Sequence, residues 1–215
     1  ANRLFLEPVL LGRYPADVLA DTGTTQWFAE RSDDLATIAA PLDFVGINYY
    51  SAHTVAAPED GRFDDPSLAT PTPGSERVVT VDTGAEKTQM GWEIHPDGLV
   101  ETLEMVHALA PDTHLYVTEN GSAWPDEVTP GGRVKDEDRR RYLAAHLDAC
   151  ARAVERGLPL KGYFCWSLLD NFEWAFGYDR RFGIVRVDYE TQQRTVKLSG
   201  EYYRDVIAAE RSGRE

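Results

Sequence analysis

Three apolar runs alternate with helical patterns along this chain, and that alternation restricts the fold more than any other feature. The first run, Leu42-Asp43-Phe44-Val45-Gly46-Ile47-Asn48-Tyr49-Tyr50, reads as a strand buried on both faces. The second is His114-Leu115-Tyr116-Val117-Thr118, and the third is Gly162-Tyr163-Phe164-Cys165-Trp166. Helical patterns precede, separate and follow them, at residues 32–40, 96–110, 136–155 and 199–209. Strands alternating with helices mean βα units and a parallel sheet. Polar residues gather where each strand ends: Asn48 and Tyr50, then Glu119 and Asn120, then Trp166 and Ser167. In a (β/α)8 barrel the chemistry sits at those C-terminal ends. Three strands cannot close a barrel, so a barrel of this kind needs partner strands from elsewhere. An open doubly wound sheet is the competing architecture, but no Gly-rich phosphate loop follows any strand.

The helices carry their own signals. Ser32 is placed to cap the first, with Leu35, Ile38 and Ala39 apolar, and Pro41 ends it. In the second, Leu99, Val100, Leu103, Val106 and Ala110 recur at helical spacing, and Pro96 suits its first turn. The third opens on Asp136, Glu137 and Asp138, favourable at the positive end of the helix dipole. Its apolar stripe is Leu143, Leu147, Cys150, Ala151 and Val154, Gly157 closes it, and the charge run 135–141 is expected to be its solvated start. The last helix turns Tyr202, Tyr203, Val206 and Ile207 inward. Residues 78–81 suggest a short strand and 183–189 a hairpin arm. Residues 57–74, rich in Pro, Gly and Asp, read as a long surface loop within a single domain spanning 1–215.

Charge excludes some functions. Against 22 Lys and Arg stand 36 Asp and Glu, a net charge of −14, which repels nucleic acid and anionic membrane surfaces alike. No apolar run approaches the roughly 20 residues of a membrane span. Cys150 and Cys165 are expected to be reduced and buried, since disulfide frameworks use denser cysteines. No signal peptide opens the chain and no initiator Met stands at Ala1, so a cytoplasmic fragment or processed chain is expected.

Glu119 is the sharpest chemical candidate. A carboxylate at the end of an apolar strand, followed by Asn-Gly, is partly desolvated and rigidly held, which suits a nucleophile or general base. A solvated or ion-paired loop Glu is the alternative. The segment Trp-Ser-Leu-Leu-Asp-Asn-Phe-Glu-Trp at 166–174 puts two indoles beside two acids and an Asn. Sugars need that combination, because their CH faces stack on rings and their hydroxyls bond to carboxylates. An amphipathic turn with its Trp in the core fits the same residues. Trp92 could line a cleft mouth, whereas ordinary packing suits Trp124. The five histidines show no metal-ligand spacing, and His146 with Cys150 at i and i+4 is too little to hold a metal; no metal or cofactor is expected.

At these residues the chain resembles the family 1 glycoside hydrolases, the β-glucosidase family. The matching segments are Phe5-Leu6-Glu7-Pro8-Val9 with Gly12-Arg13-Tyr14-Pro15, then 43–50, Met90-Gly91-Trp92, 116–121 and 166–183. The resemblance spans nearly the whole chain and is weakest at 57–74. It implies the C-terminal half of a (β/α)8 TIM barrel, about its last three βα units, incomplete as a barrel on its own. It implies a retaining β-glucosidase in which Glu119 is the catalytic nucleophile and Tyr50 orients it. Asn48 would line the same subsite, Trp166 would stack under the glycone, Glu173 would hold O4 and O6, and Trp174 O3. Trp92 and Phe182 would border the aglycone. An acid at Glu173 would repel a 6-phosphosugar, so an unphosphorylated glucoside is implied, with fucoside or galactoside as side substrates.

The departure from the family is large. No Asn-Glu-Pro, the segment bearing the family's general acid, occurs here; the only Glu-Pro is Glu7-Pro8. The expected partners are therefore a β-glucoside or oligosaccharide and a missing N-terminal half, or another chain, covering the open sheet edges. A non-catalytic half-barrel, serving as scaffold or sugar-binding fragment, is the alternative.

Overall fold

The computed structural model describes residues 2–57 and 78–212. The 57–74 loop, apart from residue 57, lies outside the described residues. The chain divides into two compact units. One comprises Ala1–Phe44, His53–Gly84 and Met105–Thr113; the other comprises Val45–Ala52, Ala85–Glu104 and His114–Glu215.

The first unit opens with helices α1 (Arg3–Leu11), α2 (Ala16–Asp21) and α3 (Thr25–Ala29). Arg3 joins α1 to α2 by donating from Nε to Glu7 at 2.5 Å and from Nη1 to Asp17 at 2.6 Å. The helix expected over 32–40 is instead a 3-10 turn, Ser32–Asp34, running into α4 (Leu35–Ile38), and Arg31 rather than Ser32 precedes it. So short a segment cannot repay α-helix nucleation, and its first turn tightens. Strand β1 (Phe44–Asn48) begins here and continues into the second unit. Strands β2 (Val55–Ala56) and β3 (Val79–Thr80) pair antiparallel, with Val55 opposite Thr80.

The second unit is built on β4 (His114–Asn120) and β5 (Leu160–Cys165), with helix α6 (Glu137–Glu155) and α5 (Pro96–Leu109) as far as Glu104. A hairpin of β6 (Val185–Val187) and β7 (Arg194–Val196) follows, then α7 (Leu198–Ser212). The sheet order is β1-β4-β5; β4 and β5 run parallel, with Val117 opposite Tyr163 and Asn120 opposite Cys165. The core contains Leu99 and Leu103 of α5, Leu115 and Val117 of β4, and Leu143, Ala149 and Ala153 of α6.

Three expectations are corrected. First, β1 is not covered on both faces: Ile47 is buried, but Phe44 is 51% exposed, and on β5 Phe164 is 57% exposed. A parallel strand is buried twice only where layers cover both faces, and β1 and β5 are the outer strands of an open three-stranded sheet. Second, the apolar stripe of α6 is split: Leu143 and Cys150 are buried together with Arg139, Tyr142, His146, Ala149 and Ala153. Leu147, Ala151 and Val154 instead line an open groove of about 560 Å³ with Tyr163, Tyr203 and Val206.

Third, the charge run at the start of α6 is not all solvated. Asp136 and Arg139 are buried, and they belong to a cluster of three cations and three anions. Arg139 contacts Asp136 and donates to Asp126 at 2.9 Å, to Ser122 O at 3.1 Å and to Arg181 O at 2.7 Å. Lys197 contacts Asp126 and donates to Asp170 at 2.8 Å, and Arg181 reaches Asp170 at 2.5 Å. Ser199 closes the set by donating from its backbone N and its Oγ to Asp136, at 2.9 and 2.6 Å. Charges this deep persist only when paired and hydrogen-bonded.

Candidate functional site

The candidate site stands at the C-terminal ends of the three-stranded sheet, within the second unit. Glu119 is the penultimate residue of β4, and its carbonyl accepts the Tyr49 N–H at 2.9 Å. That bond ties the end of β4 to the residue just past β1. Tyr50 comes next, and its hydroxyl donates to Glu119 Oε2 at 2.7 Å. Burial, first, and then this hydrogen bond and the Glu119 charge push the Tyr50 phenol far above its ordinary value. Tyr50 therefore remains a proton-bearing donor to the carboxylate at any working pH.

Aromatic rings back this pair. The Tyr50 ring lies 5.5 Å from Trp92 and 6.1 Å from Phe182, centroid to centroid, and Trp92 and Phe182 are 6.1 Å apart. Trp92 sits in a turn in which Thr88 N donates to Trp92 O at 2.9 Å and Gln89 N donates to Ala123 O at 3.0 Å, beside the end of β4. Phe182 is only 2% exposed. It supports the other two rings and has almost no exposed face of its own. Asn48, exposed on β1, accepts from Thr118 Oγ1 at 2.8 Å.

The third strand end brings Trp166, half-buried, whose backbone N–H donates to Asn120 O at 2.9 Å. This approach is why residue 121 is glycine. A Cβ there would stand 1.7 Å from the Trp166 carbonyl oxygen. Beyond Trp166 the chain turns through Asp170, which enters the buried charge cluster, and reaches Glu173. The two acids of the segment thus part company. Asp170 faces cations in the interior, while desolvation, first, and then the Glu119 charge raise the Glu173 carboxyl above its ordinary value. Trp174 follows on a 3-10 turn (Trp174–Phe176), in the left-handed region at φ 42° and 81% exposed. A non-glycine residue held at positive φ costs energy that the surrounding turn must supply.

Tyr50, Trp92, Glu119 and Phe182 thus converge, and Glu173 is near enough to feel the Glu119 charge, whereas Asn48 meets Thr118 and Trp166 meets the Asn120 backbone. Trp124, half-buried, donates from Nε1 to Ser122 Oγ at 2.8 Å. Cys150 and Cys165 are free thiols, which burial pushes up to about 12. Among the described residues there is no group of three or more His, Cys, Asp or Glu side chains able to hold a metal, and no helix long and apolar enough to cross a membrane.

Sequence reasoning missed Tyr142, buried on α6 and bonded to both Tyr50 O and Asn120, and it missed the charge cluster. The one available signal was spacing: Arg139, Tyr142, His146 and Ala149 recur at helical intervals, but their polarity hides a buried face.

The family model for Glycosyl hydrolase family 1 matches residues 1–212. A bifunctional beta-D-glucosidase/beta-D-fucosidase of Bifidobacterium breve is 45% identical over 212 residues, covering 96% of this chain and 46% of that protein. A 1,4-beta-D-glucan glucohydrolase of Thermotoga neapolitana is 46% identical, over 95% of this chain and 43% of that protein. Among solved structures, the family 1 b-glucosidase from Thermotoga maritima superposes with a TM-score of 0.81 at 44% identity. It covers 96% of this chain and 43% of its own. The same enzyme in complex with deoxynojirimycin gives a TM-score of 0.82. The chain therefore spans less than half the length of these relatives.

Proposed function

The chain belongs to glycosyl hydrolase family 1, and on that footing we propose that it is the C-terminal part of a retaining β-glucosidase, contributing the last three βα units of its barrel. The observation that carries this reading is the 2.7 Å hydrogen bond from Tyr50 to Glu119, set at strand ends among aromatic rings.

A retaining enzyme uses two carboxyl groups about 5–5.5 Å apart. Glu119 supplies one. Its carboxylate attacks the anomeric carbon of a terminal β-glucosyl unit, and the bond to the aglycone oxygen breaks as that oxygen takes a proton from the second carboxyl group. Water, deprotonated by that same group, then attacks the glycosyl ester, releasing glucose with its β configuration and restoring the Glu119 carboxylate. Tyr50 holds Glu119 in line by its hydrogen bond. Trp166 offers the glycone a stacking face, Glu173 accepts O4 and O6 hydroxyls, and Trp174 meets O3. Trp92, backed by Phe182, borders the aglycone, and Asn48 lines the glycone subsite. A carboxylate at Glu173 disfavours phosphorylated sugars by charge repulsion.

The proton donor lies outside this chain. The complementary N-terminal half of the barrel would bring it, covering the outer strands β1 and β5 and their exposed Phe44 and Phe164. Losing general acid catalysis costs about 10²–10⁴ in rate. The test is turnover of an aryl β-glucoside by this chain with and without an N-terminal half. Turnover only in the mixture, abolished by Glu119→Gln, and labelling of Glu119 by a 2-fluoroglucoside are the expected results. No turnover under either condition would instead support a non-catalytic, sugar-binding half-barrel.

A further inference from the structure

Between Tyr50 and Glu119 the sheet must hold a fixed spacing, because one hydrogen bond joins side chains from two strand ends. A third group behind them holds the Tyr50 backbone carbonyl and the side chain of Asn120, the residue after Glu119. Tyr142, on α6, is 2% exposed, and its ring stacks on His146 with centroids 3.9 Å apart. Its hydroxyl donates to Tyr50 O at 2.9 Å and accepts from Asn120 Nδ2 at 3.1 Å. Asn120 Nδ2 also donates to Tyr49 O at 2.7 Å, and Asn120 Oδ1 accepts from Tyr163 at 2.7 Å. The Tyr142 hydroxyl thus uses its one proton and one lone pair to clamp the residue bearing the donor to the residue that follows the nucleophile. Packing alone would be served by phenylalanine, and a buried hydroxyl is kept only where both its bonds are made.

We propose that Tyr142 is a positioning residue for the reaction: its hydroxyl sets the separation of the β1 and β4 ends and so aims Tyr50 at Glu119. This rests on the reading of Glu119 as nucleophile. Tyr142 touches neither substrate nor carboxylate, so its effect passes through Tyr50. A shift of the Tyr50 backbone lengthens a bond whose strength falls steeply with distance and angle.

The test uses the chain assembled with its N-terminal half and acting on an aryl β-glucoside. Tyr142→Phe keeps the ring and its stack on His146. It is expected to lower kcat and the rate of 2-fluoroglucoside labelling about tenfold, from loss of two buried hydrogen bonds. KM should remain within about twofold, since no group that contacts the sugar is removed. Tyr50→Phe alone should lower kcat as well. In the double variant the Tyr142 change should add little, because the donor it aims is gone. A KM rise with unchanged kcat, or kcat losses that multiply fully in the double variant, would overturn the proposal. Wild-type turnover abolished by Glu119→Gln secures the underlying reading separately. An inactive wild-type assembly would sink both, since there would then be no nucleophile to aim.

Discussion

Replacing Lys197 by Met should be among the most damaging single changes in the second unit. The ammonium is fully buried and contacts two carboxylates, Asp126 and Asp170, which are equally inaccessible. Burial, first, and then the neighbouring Arg139 charge push the Lys197 pKa below its ordinary value, while Asp126 and Asp170 oppose that. Methionine fills similar volume but leaves three buried carboxylates facing two guanidinium groups. Asp126 would still have Arg139, and Asp170 would still have Arg181 and the Gly183 N–H. The loss therefore falls within the range for breaking a buried pair, about 3–5 kcal/mol, and below that of an isolated buried charge. With a urea m-value of about 2 kcal/mol/M, the midpoint should fall by about 1.5–2.5 M. Urea titration of wild type and Lys197→Met, followed by far-UV circular dichroism and tryptophan fluorescence, measures it. A change below about 1 kcal/mol would show that the cluster is hydrated or loosely paired, and the reasoning would be refuted.

Two further outcomes follow from single residues. Gly121→Ala forces a methyl group into the Trp166 carbonyl, so it should cost about 3 kcal/mol by overpacking, read as a lowered melting temperature, and should weaken turnover through displaced Trp166; a neutral result would contradict the close approach. His146 is buried and held mainly by desolvation at about 4, against 6.5 when unfolded, with His95 adding to the depression. The unfolded chain therefore binds the proton first, so stability present above pH 6.5 should decline by about 3 kcal/mol as pH falls to 4. His146→Phe should flatten that decline; equal slopes in both proteins would exclude His146 as its source.

Much of this protein was legible in one dimension. The alternation of strands and helices, and the polar residues at each strand end, follow from local periodicity and from the abrupt change of residue type where a strand leaves the core. The pairing of Tyr50 with Glu119, implied by the family resemblance, lies where two strand ends meet. What escaped were properties belonging to no single segment. Arg139 and Asp136 read as solvated because their neighbours in sequence are charged. They are buried because Asp126, Asp170, Arg181 and Lys197, distant along the chain, neutralise them in space. Likewise, α6 hides its Tyr142 and His146 face, whereas Leu147 and Val154 line an open groove. β1 is exposed despite its apolar run, because burial depends on which layers are present to cover it. The alternation of strands and helices acts between near neighbours, so the sequence alone settled it, although not the Ser32 cap. Charge compensation, the choice of buried face and the aim of one tyrosine at one carboxylate depend on groups brought together only by folding, so tertiary structure decided them.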